Sequence, residues 1–146
     1  MLGKILFLLQ VLAMLACALP LSLHVPGSIT LVIAALAAML GVWVLWFNKL
    51  GNWSVLPQPL ADAQLIKTGP YAWMRHPMYT TVLLACFVFV LHNLNLINLL
   101  AWCALLLVLN VKARYEERLL KKAMNEYADY MQSVTSRFLP KRSRKH

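Results

Sequence analysis

Two short stretches hold the side chains able to do chemistry. The first is GPYAWMRHPMY, residues 69–79, in which Arg75, His76 and Tyr79 crowd around Pro77. Gly69-Pro70 makes a turn. Pro77 suits the first position of a helix, where a missing N–H costs nothing, and the residue before a proline is pushed toward extended backbone. His76 is thereby set at a helix mouth, beside the positive end of the dipole, where a carboxylate is well received. The second stretch is KARYEERLLKKAMNEYADYMQ, residues 112–132. Leu120, Met124, Tyr127 and Met131 step by 4, 3 and 4, one apolar stripe along a helix of about five turns. Glu116 falls on that stripe. Glu117 is turned away, four residues before Lys121, where it makes an ordinary surface pair. A carboxylate on an apolar stripe is costly without a partner, which marks Glu116 as a candidate functional residue, the alternative being a plain ion pair to Arg75 or Lys112.

The elements that carry these stretches belong in a membrane. Hydrophobic residues are 61% of the 146 and charged residues 13%, against roughly 45–50% and about 25% in soluble domains. No Asp, Glu, Lys or Arg occurs from Ile5 to Asn48, a run of 44 residues. One crossing takes about 20, so the run holds two, divided at Pro20, Pro26 and Gly27. A second uncharged run of 34 residues, Met78 to Val111, divides at His92, Asn93, Asn95 and Asn98. The expected architecture is a single all-α domain over 1–146, a polytopic helical bundle. Its four spans lie near 3–24, 28–48, 77–92 and 96–112. A cytoplasmic loop covers 49–76, and an amphipathic cytoplasmic helix with a basic tail covers 113–146. The last two spans are short for a hydrocarbon core of ~30 Å, so that hairpin tilts or thins the bilayer.

Basic residues set the orientation. Lys4 precedes the first span, Lys49, Lys67 and Arg75 lie between the second and third, and the segment 112–146 carries ten Lys/Arg against four Asp/Glu. Both termini are therefore expected in the cytoplasm, with the motif loop. The basic end KRSRKH beside a bundle suits anionic lipid rather than nucleic acid. The five glycines make neither G-x-G-x-x-G nor a P-loop. Cys17, Cys86 and Cys103 sit in apolar runs without C-x-x-C spacing, as small buried hydrophobes. No metal is expected.

Taken together, the two stretches resemble the isoprenylcysteine carboxyl methyltransferase and phospholipid methyltransferase group of integral-membrane enzymes. The resemblance is carried by Leu65-Ile66, Gly69, Tyr71, Arg75-His76-Pro77 and Tyr79. It continues in Glu116-Glu117 with Leu120, then Tyr127 and Tyr130, then Arg137 and Pro140. The upstream Ser54, Pro57 and Pro59 also look like the family's loop. The resemblance implies S-adenosylmethionine, released as S-adenosylhomocysteine, in a pocket open to the cytoplasm. Gln64, Leu65, Ile66, Tyr71, His76, Pro77, Met78, Tyr79 and Glu116 would contact the cofactor, and Lys112 the substrate. Arg75 and the helix start would hold the methionine carboxylate, and Glu116 the ribose hydroxyls or the ammonium. His76 would remove a proton from an amine or thiol acceptor, whereas a carboxylate acceptor needs no base. The expected partners are membrane lipid and a lipidic or amphipathic acceptor.

Two other readings use the same residues differently. Sterol-type membrane reductases carry an R-H-P-x-Y-like stretch with a nicotinamide cofactor, but Met78 and Thr80-Thr81 do not fit their pattern, and E-E-x-x-L argues against them. A non-catalytic membrane protein anchored by its basic tail needs neither Glu116 on an apolar stripe nor His76 before a proline.

Overall fold

The computed structural model describes residues 1–19, 24–48 and 65–141. Within them the chain forms α1 (Leu2–Ala18), α2 (Ser28–Phe47), a 3-10 turn (Gly69–Ala72), α3 (Pro77–Asn93), α4 (Leu96–Ala123) and α5 (Tyr127–Ser133). No strand occurs among the described residues.

Two helices, α2 and α4, are long and apolar enough to cross a bilayer. Of the four expected spans, the second and fourth lie in these two, and the first and third in shorter apolar helices; the fourth, expected to be short, belongs to the longest described helix. α1 ends at Ala18 and does not reach residue 24. α1 and α3 have 17 residues each, roughly 26 Å at 1.5 Å per residue. Uncharged length counts turn residues as well as helix, which is why the sequence overstates the first span.

The pairs α1–α4 and α2–α3 make the broadest contacts, and α3 packs on α4. Gly41 lets α2 approach α3 closely: a Cβ there would lie 3.2 Å from Thr81 Cγ2, the small-residue contact that brings membrane helices together. The core between α1, α3 and α4 is Cys17, Leu83, Cys86, Leu105 and Leu109. Outside it, Leu8, Leu12, Leu15, Leu31, Val32, Leu36 and Val42 are exposed. An apolar belt of that kind suits lipid rather than water.

The turn between α3 and α4 is Leu94-Asn95. Leu94 adopts φ 44° and the Asn95 side chain accepts from Ile97 N at 2.9 Å, capping α4. One turn later, the fully buried Asn98 donates from Nδ2 to the carbonyls of Cys17 and Leu19, both at 2.8 Å. It thereby satisfies acceptors that the end of α1 leaves open. Asn98, one of the residues that divide the second uncharged run, thus serves as an interhelical cap.

α4 is continuous from the apolar part through the motif to Ala123, then breaks at Met124 (φ −132°, ψ 112°). The single helix expected through Met131 is therefore two. The inward face of α4 is set by its apolar half: Leu105, Leu109, Ala113 and Glu117 form one i, i+4 row, all buried.

Candidate functional site

The motif is held from both sides. Gly69 has φ +60°, and a Cβ on it would meet the Phe47 ring at 2.6 Å. Only glycine lets this turn lie on the end of α2. Past the turn, the chain pairs with the segment after α5: Arg75 N donates to Ser136 O (3.0 Å), His76 N to Arg137 O (2.9 Å) and Lys141 N to Trp73 O (3.1 Å). Thr80 Oγ1 donates to Phe138 O at 2.7 Å. Tyr130 Oη adds a bond to Tyr71 O at 2.7 Å. Leu65 packs on the buried trio Tyr127, Tyr130 and Val134.

At the centre lies Glu117, whose side chain is 5% exposed. Arg75 Nε donates to its Oε1 at 2.9 Å. Arg137 Nε lies 3.1 Å from both oxygens, and Nη2 lies 3.0 Å from Oε2. His76 Nε2 is 3.2 Å from Oε1. Arg75 also donates from Nη1 to Val134 O at 2.6 Å. Burial alone would push the Glu117 carboxyl up. Hydrogen bonds from His76, Arg137 and Arg75, with the Arg75 charge, outweigh it and hold the group well below the ordinary carboxylate range.

This overturns the expectation that Glu117 faces solvent and pairs with Lys121. The stripe was phased on residues 120–131, across the break at Met124. The phase that counts comes from Leu105, Leu109 and Ala113, which carries Glu117 inward. Arg137, read only as a family feature, completes the cluster.

Glu116 lines the more open side, its side chain 29% exposed. Tyr79 Oη donates to Glu116 Oε2 at 2.7 Å, and His76 Nδ1 stands 3.7 Å from the same oxygen. The His76 and Tyr79 rings stack with centroids 5.2 Å apart and planes 4° from parallel, with Phe138 tilted against both. Burial pushes the Tyr71 phenol up to about 12, and the Glu116 charge adds to the effect. The structure thus brings Tyr71, His76, Tyr79 and Glu116 around one acidic, aromatic surface. Lys112 is buried beside it. Its Nζ donates to Gln10 Oε1 at 2.7 Å and lies 5.4 Å from the Tyr79 ring centroid and 5.7 Å from that of Phe7.

The Arg75 guanidinium bonds Glu117 and Val134 O. At the start of α3 the Tyr79 and Thr80 amides both donate to His76 O, at 3.0 and 3.2 Å. Pro77 is fully buried. Ile66 is half-buried and Met78 is 36% exposed, its sulfur accepting from Asn48 Nδ2 at 3.5 Å. Gln64 lies outside the described residues. The groove along α2 formed by Met39, Val42, Trp43 and Trp46 is apolar and lies apart from this cluster.

The family model of phospholipid methyltransferases matches residues 28–126, from the start of α2 through Glu126. It covers the motif, both glutamates and Lys112. No curated protein matches the chain. With about two thirds of its residues inside that match, the chain belongs to the phospholipid methyltransferase family, a family of membrane methyltransferases.

Proposed function

We propose that the protein transfers a methyl group from S-adenosylmethionine to a lipidic or membrane-partitioned acceptor at the cytoplasmic face. The observation that carries this reading is Glu116, hydrogen-bonded by Tyr79 beside His76 and set on an ionic cluster that fixes the helix ends around it. A partly exposed carboxylate among aromatic rings fits a cationic, hydroxyl-bearing ligand. Carboxylates accept from ammonium and ribose hydroxyl donors, and ring faces attract positive charge.

In this reading Glu116, Tyr79, Tyr71, Leu65 and Ile66 hold the methyl donor, which supplies a methyl already activated on a sulfonium. The chain's own work is to position, to exclude water and to take a proton where the acceptor carries one. Buried Lys112 and half-buried Gln10, paired between α4 and α1, would meet a lipidic acceptor. The α3–α4 hairpin carries the motif-bearing ends of both helices at one end of the bundle, and the excess of basic residues there supports a cytoplasmic side for it.

Calorimetric titration of S-adenosylhomocysteine into the protein in nanodiscs tests the reading. Saturable binding that NADPH does not compete with is the expected result. Absence of binding by folded protein would remove it.

A further inference from the structure

His76 touches Glu117 through Nε2 and faces Glu116 through Nδ1. These two contacts are chemically unequal. Glu117 is buried, and both of its oxygens receive guanidinium hydrogens from Arg75 or Arg137. It is therefore an ionised carboxylate that can only accept. The Nε2 atom at 3.2 Å must then bear a hydrogen. In a neutral imidazole the other nitrogen is an acceptor, and the bond made by one nitrogen decides the state of the other.

We propose that Glu117 is a positioning residue that fixes His76 as the Nε2–H tautomer, leaving the Nδ1 lone pair toward the Glu116 side of the site. The surroundings permit little else. Tyr79 lies parallel to the ring and Phe138 is tilted against it, and the His76 backbone N–H is tied to Arg137 O. The Nδ1–H tautomer would put a bare Nε2 lone pair against the Glu117 carboxylate. Nδ1 and Glu116 Oε2, 3.7 Å apart, are too far for a mutual hydrogen bond and are both acceptors. A donor hydrogen of a bound molecule is what this pair lacks.

The consequence for chemistry rests on the methyl-transfer reading. For an acceptor carrying an N–H or S–H, the bond to hydrogen breaks and its electron pair stays on the acceptor as the nucleophile. The proton goes to Nδ1. The imidazolium so formed lies between Glu117 on one nitrogen and Glu116 near the other, each favouring its charge. An orienting carboxylate of this kind acts through the tautomer rather than on the substrate.

The test reads the tautomer directly and needs no substrate. The protein in nanodiscs, labelled with 15N-histidine, is examined through the long-range 1H–15N couplings of the imidazole. The His76 signal is assigned by its loss in His76→Gln. At about pH 8 the wild type is expected to show the Nε2–H tautomer alone. Glu117→Gln, whose amide can donate as well as accept, is expected to show both tautomers. Wild-type His76 found as the Nδ1–H tautomer, or as imidazolium at that pH, would overturn the proposal. So would an unchanged tautomer in folded Glu117→Gln. Should Glu117→Gln fail to fold, Glu117→Asp and the wild-type spectrum decide. S-adenosylhomocysteine binding is measured on the same wild-type sample: no binding with the Nε2–H tautomer intact would sink the methyltransferase reading and leave the positioning role standing.

Discussion

Arg137 meets Glu117 with two nitrogens, Nε 3.1 Å from both carboxylate oxygens and Nη2 3.0 Å from Oε2, although twenty residues and the whole of α5 separate them. This contact closes the C-terminal segment over the motif. Because Arg75 and His76 use the same carboxylate, the ends of α3 and α4 and the tail form one unit rather than three.

Removing one partner of such a unit leaves charge buried without compensation, at a cost of about 3–5 kcal/mol. Glu117→Ala and Arg137→Ala should both lower the thermal unfolding midpoint in detergent. Glu116→Gln should change it far less. For S-adenosylhomocysteine affinity the order should reverse among the folded variants: losing the Glu116 charge removes about 1.5–3 kcal/mol of ligand hydrogen bonding, at least tenfold in Kd by calorimetry. Equal effects of Glu116→Gln and Glu117→Gln on both measurements would contradict the division of labour.

The same carboxylate makes stability depend on acid. Hydrogen bonds and charge from His76, Arg137 and Arg75 depress the Glu117 carboxyl in the folded state. Its contribution is fully present above the unfolded value of about 4.3 and is lost as pH falls below it toward the lower folded value. The unfolding midpoint of the wild type should drop below about pH 4.3. Glu117→Gln should begin lower and fall less steeply over that window.

Gly69 is expected to be intolerant for two independent reasons, its φ of +60° and the Phe47 ring 2.6 Å from any Cβ. The left-handed conformation alone costs roughly 1–2 kcal/mol with a side chain. Gly69→Ala should therefore lower the unfolding midpoint and weaken S-adenosylhomocysteine binding by displacing Tyr71 and the motif. Gly27→Ala, where nothing lies within 4 Å of the new Cβ, should leave both unchanged.

At the other end of the bundle, Asn98→Leu should release the carbonyls of Cys17 and Leu19. A buried acceptor left open costs about 1–3 kcal/mol. A lowered midpoint in detergent, with ligand affinity retained in folded protein, is the expected result. An Asn98→Leu variant as stable as the wild type would show that the cap contributes nothing.

Topology can be read with single cysteines in a background lacking Cys17, Cys86 and Cys103. A cysteine at the exposed Lys121 should be labelled only from the cytoplasmic side, and one at Asn95 only from the opposite side. Labelling of both from one side would break the orientation drawn from the basic residues.

Composition and local chemistry sufficed for the helical, lipid-facing character of the chain, for the hairpin turn near Asn95, and for His76 at a helix mouth. Each of these depends on charge-free length, a proline or a turn residue, and such signals act over a few positions. Local pattern marked Glu116, but on a stripe that crosses the break at Met124 and so does not fix the face of α4. Glu117 was not legible. Its burial depends on which face α4 presents, and that is set by Leu105 and Leu109, packed against α1 and α3 well up the helix. Nor could local pattern show that Arg75 is consumed by Glu117 and Val134, or that Arg137 returns to the same carboxylate. Those partners lie 20 to 59 residues apart in sequence. Only the packing of α3, α4 and the C-terminal segment brings them within hydrogen-bond reach, because a buried charge must be matched by whatever the fold delivers to it.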